Sequence, residues 1–172
     1  DNVAPSLLGG FVLVRDYHPL DVIKLPVPNG LYCTLLHPHY ELKTADSRSV
    51  LRDQIPMKHA TIQSGNVAGL IAGLYESDFE LISRSLRDVI AEPYRAVLLP
   101  GFYEVREALK AAGALGMGIS GSGPTLFALS RGKEIAEAVG EAGKEMFSKI
   151  GLGVDVYFSE INTRGAYVIE EK

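Results

Sequence analysis

The segment Gly116-Met117-Gly118-Ile119-Ser120-Gly121-Ser122-Gly123-Pro124-Thr125 holds the residue types best suited to chemistry in this sequence. A turn with so little side-chain bulk lets backbone N–H groups approach a ligand closely, and successive N–H groups form an anion-binding concavity. Ser120 and Ser122 add hydroxyl donors. By letters Gly116 to Gly121 matches G-x-G-x-x-G, but a dinucleotide fingerprint needs a strand before the glycines and a helix opening at the last one. Here a helical pattern precedes, while Pro124 and the strand-like Thr125 to Leu129 follow, so the dinucleotide reading is rejected. There is no G-x-x-x-x-G-K-[ST] either. Two readings stay open on the residues alone: a loop that approaches phosphate, and a tight strand-to-strand connection whose glycines only supply positive φ.

Other reactive side chains are sparse. The single cysteine, Cys33, lies in the apolar run Leu31 to Leu36 and is expected to be a core strand residue rather than a nucleophile. It has no partner for an intrachain disulfide, which fits a reducing compartment. His37 and His39 stand two apart, but no Cys or acidic cluster nearby completes a metal site, and they are expected to be loop histidines. His59 stands alone on a helical stretch and is expected to be structural. No metal ligand set is assigned.

These groups need a frame. With 172 residues, 47% of them hydrophobic and 22% charged, the chain suits one domain of ordinary size with a sizeable core. The net charge of −4 argues against a nucleic-acid or polybasic membrane surface. No apolar stretch is long enough to span a bilayer, no signal-peptide pattern opens the chain, and the simplest location is the cytoplasm. Phe11–Val14, Ile23–Val27 and Leu31–Leu36 read as strands, the last two separated by Pro28-Asn29-Gly30, a hairpin-type turn signal. Thr44 is a plausible N-cap with Asp46 in the first turn. After Pro56, Val67, Leu70, Ile71 and Leu74 recur at helical spacing. Ser77 and Glu80 form an S-x-x-E capping box for a helix with Phe79, Ile82, Leu86 and Val89 on one face, ended or bent by Pro93. A helix through Phe102, Val105 and Leu109 stops at Gly113. Strands at Ala114–Ile119 and Thr125–Leu129 flank the glycine turn. A helix from Lys133 to about Ile150 buries Ile135, Val139, Met146 and Phe147, and Val154–Phe158 and Tyr167–Ile169 complete the strands. The expected class is α+β: a largely antiparallel sheet covered by helices on one face.

Gly118 to Leu129, GISGSGPTLFAL, resembles the third signature of the GHMP kinases, which phosphorylate small alcohols and sugars. Ile90-Ala91-Glu92-Pro93-Tyr94-Arg95 with Leu99-Pro100-Gly101-Phe102 is similar to the homoserine kinase branch. So are Asp1-Asn2-Val3-Ala4-Pro5 with Leu8-Gly9-Gly10, and Thr44-Ala45-Asp46-Ser47-Arg48. The matches are in order and spread over most of the chain. The resemblance implies the ferredoxin-like C-terminal domain of that family over residues 31–172. Residues 1–30 would then be the tail of an N-terminal kinase domain or lead-in strands.

The resemblance also implies an activity, transfer of the ATP γ-phosphate to the hydroxyl of L-homoserine, and roles for particular residues. Arg48 and Arg95 match positions that hold the substrate carboxylate, a task suited to the planar guanidinium fork. Thr44, one helical turn before Arg48, faces the same way and donates its hydroxyl. Asp1 matches the acid that pairs with the substrate ammonium. Asn2 stands near the acceptor hydroxyl where related kinases have an aspartate, and a neutral amide cannot take the proton in that way. Gly121 contacts the substrate, and Ser120, Gly121, Ser122 and Gly123 lie beside the triphosphate. The phosphate-cradling P-x-x-x-G-L-G-S-S-A loop and the Mg²⁺-holding acid of the family are not among these residues. The chain is therefore expected to begin in mid-fold, to depend on its own N-terminal domain for most of the ATP and Mg²⁺ contacts, and to be inactive alone. A homodimer is the expected assembly. The alternatives are a GHMP kinase for another small alcohol, for which the two arginines demand a carboxylate-bearing acceptor, and a non-catalytic α+β module that binds an amino acid.

Overall fold

The computed structural model describes residues 3–170. After a short helix α1 (Val3–Leu8), strands β1 (Phe11–Tyr17) and β2 (Leu20–Leu25) pair antiparallel as a two-stranded sheet. β3 (Leu31–Pro38) starts a second sheet, and helices follow: α2 (Thr44–Ser49), α3 (Met57–Glu76), α4 (Phe79–Ser85), α5 (Glu92–Arg95) and α6 (Phe102–Ala111). β4 (Gly116–Ile119), β5 (Leu126–Arg131), α7 (Lys133–Lys149) and β6 (Val154–Glu160) complete it. The four strands order as β4-β5-β3-β6, every neighbour antiparallel. That is the β-α-β-β-α-β ferredoxin-like arrangement, and it bears out the expected α+β class.

Side-chain alternation divides the four-stranded sheet into two apolar faces. Leu36, Leu126, Ala128 and Met117 join Val139 and Phe147 of α7 and Phe102, Val105 and Leu109 of α6 in the larger core. Leu31 and Leu129 point the other way, into a cluster with Leu74 of α3 and Ile82 of α4, against which Phe11 and Leu25 of the small sheet pack. Helices therefore cover both faces, not one. Five other expectations need correction for local reasons. Pro28-Asn29-Gly30 does turn the chain, with Leu31 N–H donating to the Pro28 carbonyl at 3.2 Å, but it links two different sheets; the hairpin is β1–β2. Lys43, not Thr44, is the cap residue of α2. Ser77 closes α3 in the left-handed region (φ 55°), and Asp78 caps α4 by accepting from Leu81 N–H. Pro93 opens the short α5 rather than ending a helix. Residues Tyr167–Ile169 pair with no strand and are exposed.

α7 shows how a helix face can be misread. Its buried stripe is Ala136, Val139, Gly140, Gly143 and Phe147, while Ile135 is 38% exposed. The two glycines let the backbone approach the sheet. A Cβ at Gly140 would lie 2.9 Å from Val156, and one at Gly143 would lie 2.8 Å from Leu36. The closest approach is therefore made by the smallest residues, with Val139 and Phe147 buried beside them as expected, while Met146 is only half-buried.

Cys33 is the strand residue the sequence led us to expect. It packs against the second cluster, and burial pushes its thiol from 9.0 up to about 11. The folded state thus disfavours the thiolate. The stability this contributes is complete below pH 9 and is lost as pH rises from 9 to about 11. Urea melts at pH 8 and pH 10.5 should show an alkaline loss of about 2 kcal/mol that the Cys33→Ala variant lacks. In native buffer at neutral pH the thiol should resist iodoacetamide and react only on unfolding.

Candidate functional site

The β4–β5 connection is built as a reversed hairpin turn. Ser120 N–H donates to the Thr125 carbonyl at 2.8 Å, and Gly123 N–H donates to the Ser120 carbonyl at 3.0 Å. Gly121 (φ 60°) takes the first central position, where a primed turn requires positive φ, and Gly123 follows at φ 81°. A side chain at Gly123 would press on Ile119, Leu42 and Leu99. Among the described residues, the N–H groups of Gly121 and Ser122 donate to no protein acceptor. Those two amides are available to an outside anion.

Against this turn lies α2. Ser47, fully buried, donates its hydroxyl to the Ser122 carbonyl at 2.7 Å. Thr44 Oγ1 stands 3.4 Å from Ser122 Oγ. Arg95, at the end of α5, donates Nε–H to the Ser47 carbonyl at 3.2 Å and Nη1–H to the Gly121 carbonyl at 2.9 Å. Thr125 Oγ1 meets His37 Nδ1 at 2.8 Å, so this histidine is a hydrogen-bond partner at the root of the turn. His39 Nε2 instead lies 3.1 Å from Asp155.

Arg95 is itself held in place. The Asp88 carboxylate accepts from three backbone N–H groups, those of Ile90, Ala91 and Glu92, which fixes the start of α5. Val89 N–H donates to Gln63 Oε1 at 3.0 Å, and Asn66 Nδ2 donates to the Arg87 carbonyl at 2.8 Å, tying that segment to α3. Glu92 pairs with Arg106 of α6, whose guanidinium lies over the Phe102 ring. A cavity of about 240 Å³ opens behind Arg95, lined by Gln63, Asn66, Glu92, Met117 and Phe127 among others. Of the residues given substrate or phosphate roles from the sequence, only Arg95 lines it, beside Met117, Gly118 and Ile119 of the glycine-rich segment.

The structure therefore brings together Thr44, Arg95, Ser120, Gly121, Ser122 and Gly123. Arg48 is exposed on α2, one turn beyond Thr44, and its guanidinium has no hydrogen-bond or ion-pair partner among the described residues. No carboxylate pairs with Arg48 or Arg95 among the described residues, so neither guanidinium charge is neutralised by an ion pair. Asp1 and Asn2 lie outside the described residues. Ser47 was missed, because a small polar residue inside a helix gives no apolar periodicity; its one signal was its place between Thr44 and Arg48.

Comparison with known proteins adds a family to this geometry. Residues 70–149 match the family model described as GHMP kinases C terminal. The homoserine kinase of Chlorobium phaeobacteroides is 55% identical over 171 residues, covering 98% of this chain and 53% of that protein. The homoserine kinase of Chlorobaculum tepidum is 52% identical over 171 residues, with the same coverage of 98% and 53%. A crystal structure of homoserine kinase from Cytophaga hutchinsonii superposes with a TM-score of 0.93 at 55% identity, covering 95% of this chain and 52% of that one. The chain carries a GHMP kinase C-terminal domain and is a relative of the homoserine kinases, spanning about half the length of those it matches.

Proposed function

We propose that this chain is the acceptor-binding part of an ATP-dependent kinase that makes O-phospho-L-homoserine from L-homoserine. The observation that carries the reading is the junction of α2, Arg95 and the glycine turn, which sets the Arg95 guanidinium beside unengaged backbone amides. A carboxylate fits the former and a phosphate oxygen the latter. Arg48 and Arg95 hold the homoserine carboxylate, Thr44 donates to it, Asp1 takes the ammonium, and Gly121 lines the site. The amides of Gly121 and Ser122, with the hydroxyls of Ser120 and Ser122 and the end of the turn at Gly123, face the transferring phosphate.

Asn2, beside the acceptor hydroxyl, orients it without taking its proton. The hydroxyl oxygen attacks the γ-phosphorus directly, ADP leaves, and the proton passes to a phosphate oxygen or to water. Catalysis then comes from positioning and from stabilising phosphate charge. Mg²⁺ and most of the ATP contacts are assigned to an N-terminal domain, because the phosphate-cradling loop and the metal-holding acid of the family are not among these residues. No helix among the described residues is long and apolar enough to cross a membrane; the proposed setting is the cytoplasm, and the proposed assembly a homodimer. The domain boundary is placed near residue 30, between the two sheets.

Phosphorus NMR of the full-length protein with Mg-ATP and L-homoserine should show a new phosphomonoester, and the 172-residue chain alone should make none. Phosphorylation of another alcohol but not homoserine would make the protein a different GHMP kinase. Homoserine binding with no turnover by the full-length protein would make it a binding module.

A further inference from the structure

We propose that Ser47 and Arg95 act together as a staple that aims the backbone of the glycine turn, and that a carboxylate ligand on Arg95 tightens it. The identity of that ligand, an amino-acid acceptor, rests on the kinase reading; the staple does not.

Two successive carbonyls of the turn are pinned from outside. Gly121 C=O accepts from Arg95 Nη1, and Ser122 C=O accepts from the buried Ser47 hydroxyl. The two pinning residues are themselves joined, because Arg95 Nε–H donates to the Ser47 carbonyl. A trans peptide unit is planar, with N–H directed opposite to C=O. Holding the Gly121 carbonyl towards Arg95 therefore directs the Ser122 N–H away from it, and this amide has no protein acceptor among the described residues. Holding the Ser122 carbonyl likewise directs Gly123 N–H, which closes the turn onto the Ser120 carbonyl. Arg95 thus sets where the unengaged Ser122 donor points, while the buried Ser47 sets the Gly123 donor that closes the turn.

Arg95 also has donors to spare. A guanidinium carries five N–H groups, and the turn and α2 take one on Nε and one on Nη1. A carboxylate laid across the Nη1–Nη2 end can accept from both nitrogens without displacing Gly121. One approaching the Nε side would have to displace the Ser47 carbonyl. The end-on pose leaves the staple intact and removes side-chain freedom from Arg95, so a ligand there lowers the entropic cost of holding the turn. Acceptor and phosphate binding then become positively coupled, and the coupling is reciprocal.

The test is amide hydrogen exchange across residues 118–126 in the full-length protein, with and without L-homoserine, alongside steady-state kinetics. Ser47→Ala should speed exchange in that segment by about tenfold. It should raise the nucleotide KM by a similar factor and move the acceptor KM much less. Arg95→Lys keeps the charge but cannot bridge two carbonyls with a planar fork. It should speed the same exchange and abolish the slowing that homoserine causes in the wild type. Should Ser47→Ala not fold, Arg95→Lys carries the exchange measurement. Unchanged exchange in a folded variant overturns the staple. Faster exchange in the variants, with no effect of bound homoserine on the wild type, overturns the coupling. A wild type that binds no homoserine overturns the kinase reading instead, and the variant exchange rates still decide the staple.

Discussion

Gly165→Ala is expected to pull the segment around residues 161–166 off the body of the protein and lower the melting temperature by about 6–12 °C. Gly165 is buried at φ 74°, and a Cβ there would fall inside 3.0 Å of Leu7 O, Leu8 C and Gly9 N. All three are backbone atoms, so no side chain can swing aside. Gly9, at φ 72°, is blocked in return by Gly165 N, Asn162 O and Thr163 C. Two backbones are in direct contact here, fastened by Gly10 N–H to the Asn162 carbonyl (2.7 Å) and Ala166 N–H to the Leu7 carbonyl (3.1 Å). Lys24 Nζ reaches the carbonyls of both Leu8 and Thr163. Left-handed strain costs about 1–2 kcal/mol, and separating the strands of the contact forfeits hydrogen bonds of about 1 kcal/mol each. Gly30→Ala is the control. Gly30 has nearly the same φ, 76°, but nothing lies within 4 Å of its would-be Cβ. Thermal melts and limited proteolysis of the two variants separate conformational strain from collision. Equal behaviour of the pair would remove the backbone contact as the cause.

That contact also shows which features the sequence could and could not carry. The leading Leu8-Gly9-Gly10 was legible as a family match, but nothing in it says that residues far along the chain close over it. Long-range contacts between backbones leave no apolar pattern. The same blindness explains α7, where Gly140 and Gly143 make the closest approach while the eye follows Ile135 and Met146. Patterns that depend on local chemistry fared better. The Gly113 stop of α6, the strand runs before Tyr167, the rejection of a dinucleotide loop and the antiparallel turn at 120–125 all follow from residues within one or two turns of each other. Caps and hairpins were less secure because neighbours compete. Asp78 took the cap that Ser77 was expected to fill, since Ser77 was already committed to closing the preceding helix. At the candidate site the resemblance supplied Thr44, Arg95 and the glycine turn. Ser47, which joins them, became visible only once its hydroxyl was seen on the Ser122 carbonyl.

Arg48→Ala and Arg95→Ala should each lower kcat/KM for homoserine by about a hundredfold in the full-length protein, yet differ in stability. A charge-assisted hydrogen bond to a carboxylate is worth about 3 kcal/mol, which is roughly two decades in affinity. The Arg48 side chain is exposed and has no partner among the described residues, so its loss breaks nothing within the fold. Its stability change should stay within about 0.5 kcal/mol. Arg95 is half-buried and serves two carbonyls, and its removal leaves both short of a donor. That should cost about 1–3 kcal/mol. The nucleotide KM separates them again, rising for Arg95→Ala, which releases the turn, and holding for Arg48→Ala. Melting curves and initial rates over both substrates check all of this. An Arg48→Ala enzyme with unchanged kcat/KM would take Arg48 out of the acceptor site. An Arg95→Ala enzyme as stable as wild type would show that its two carbonyl contacts do not hold α2 to the turn.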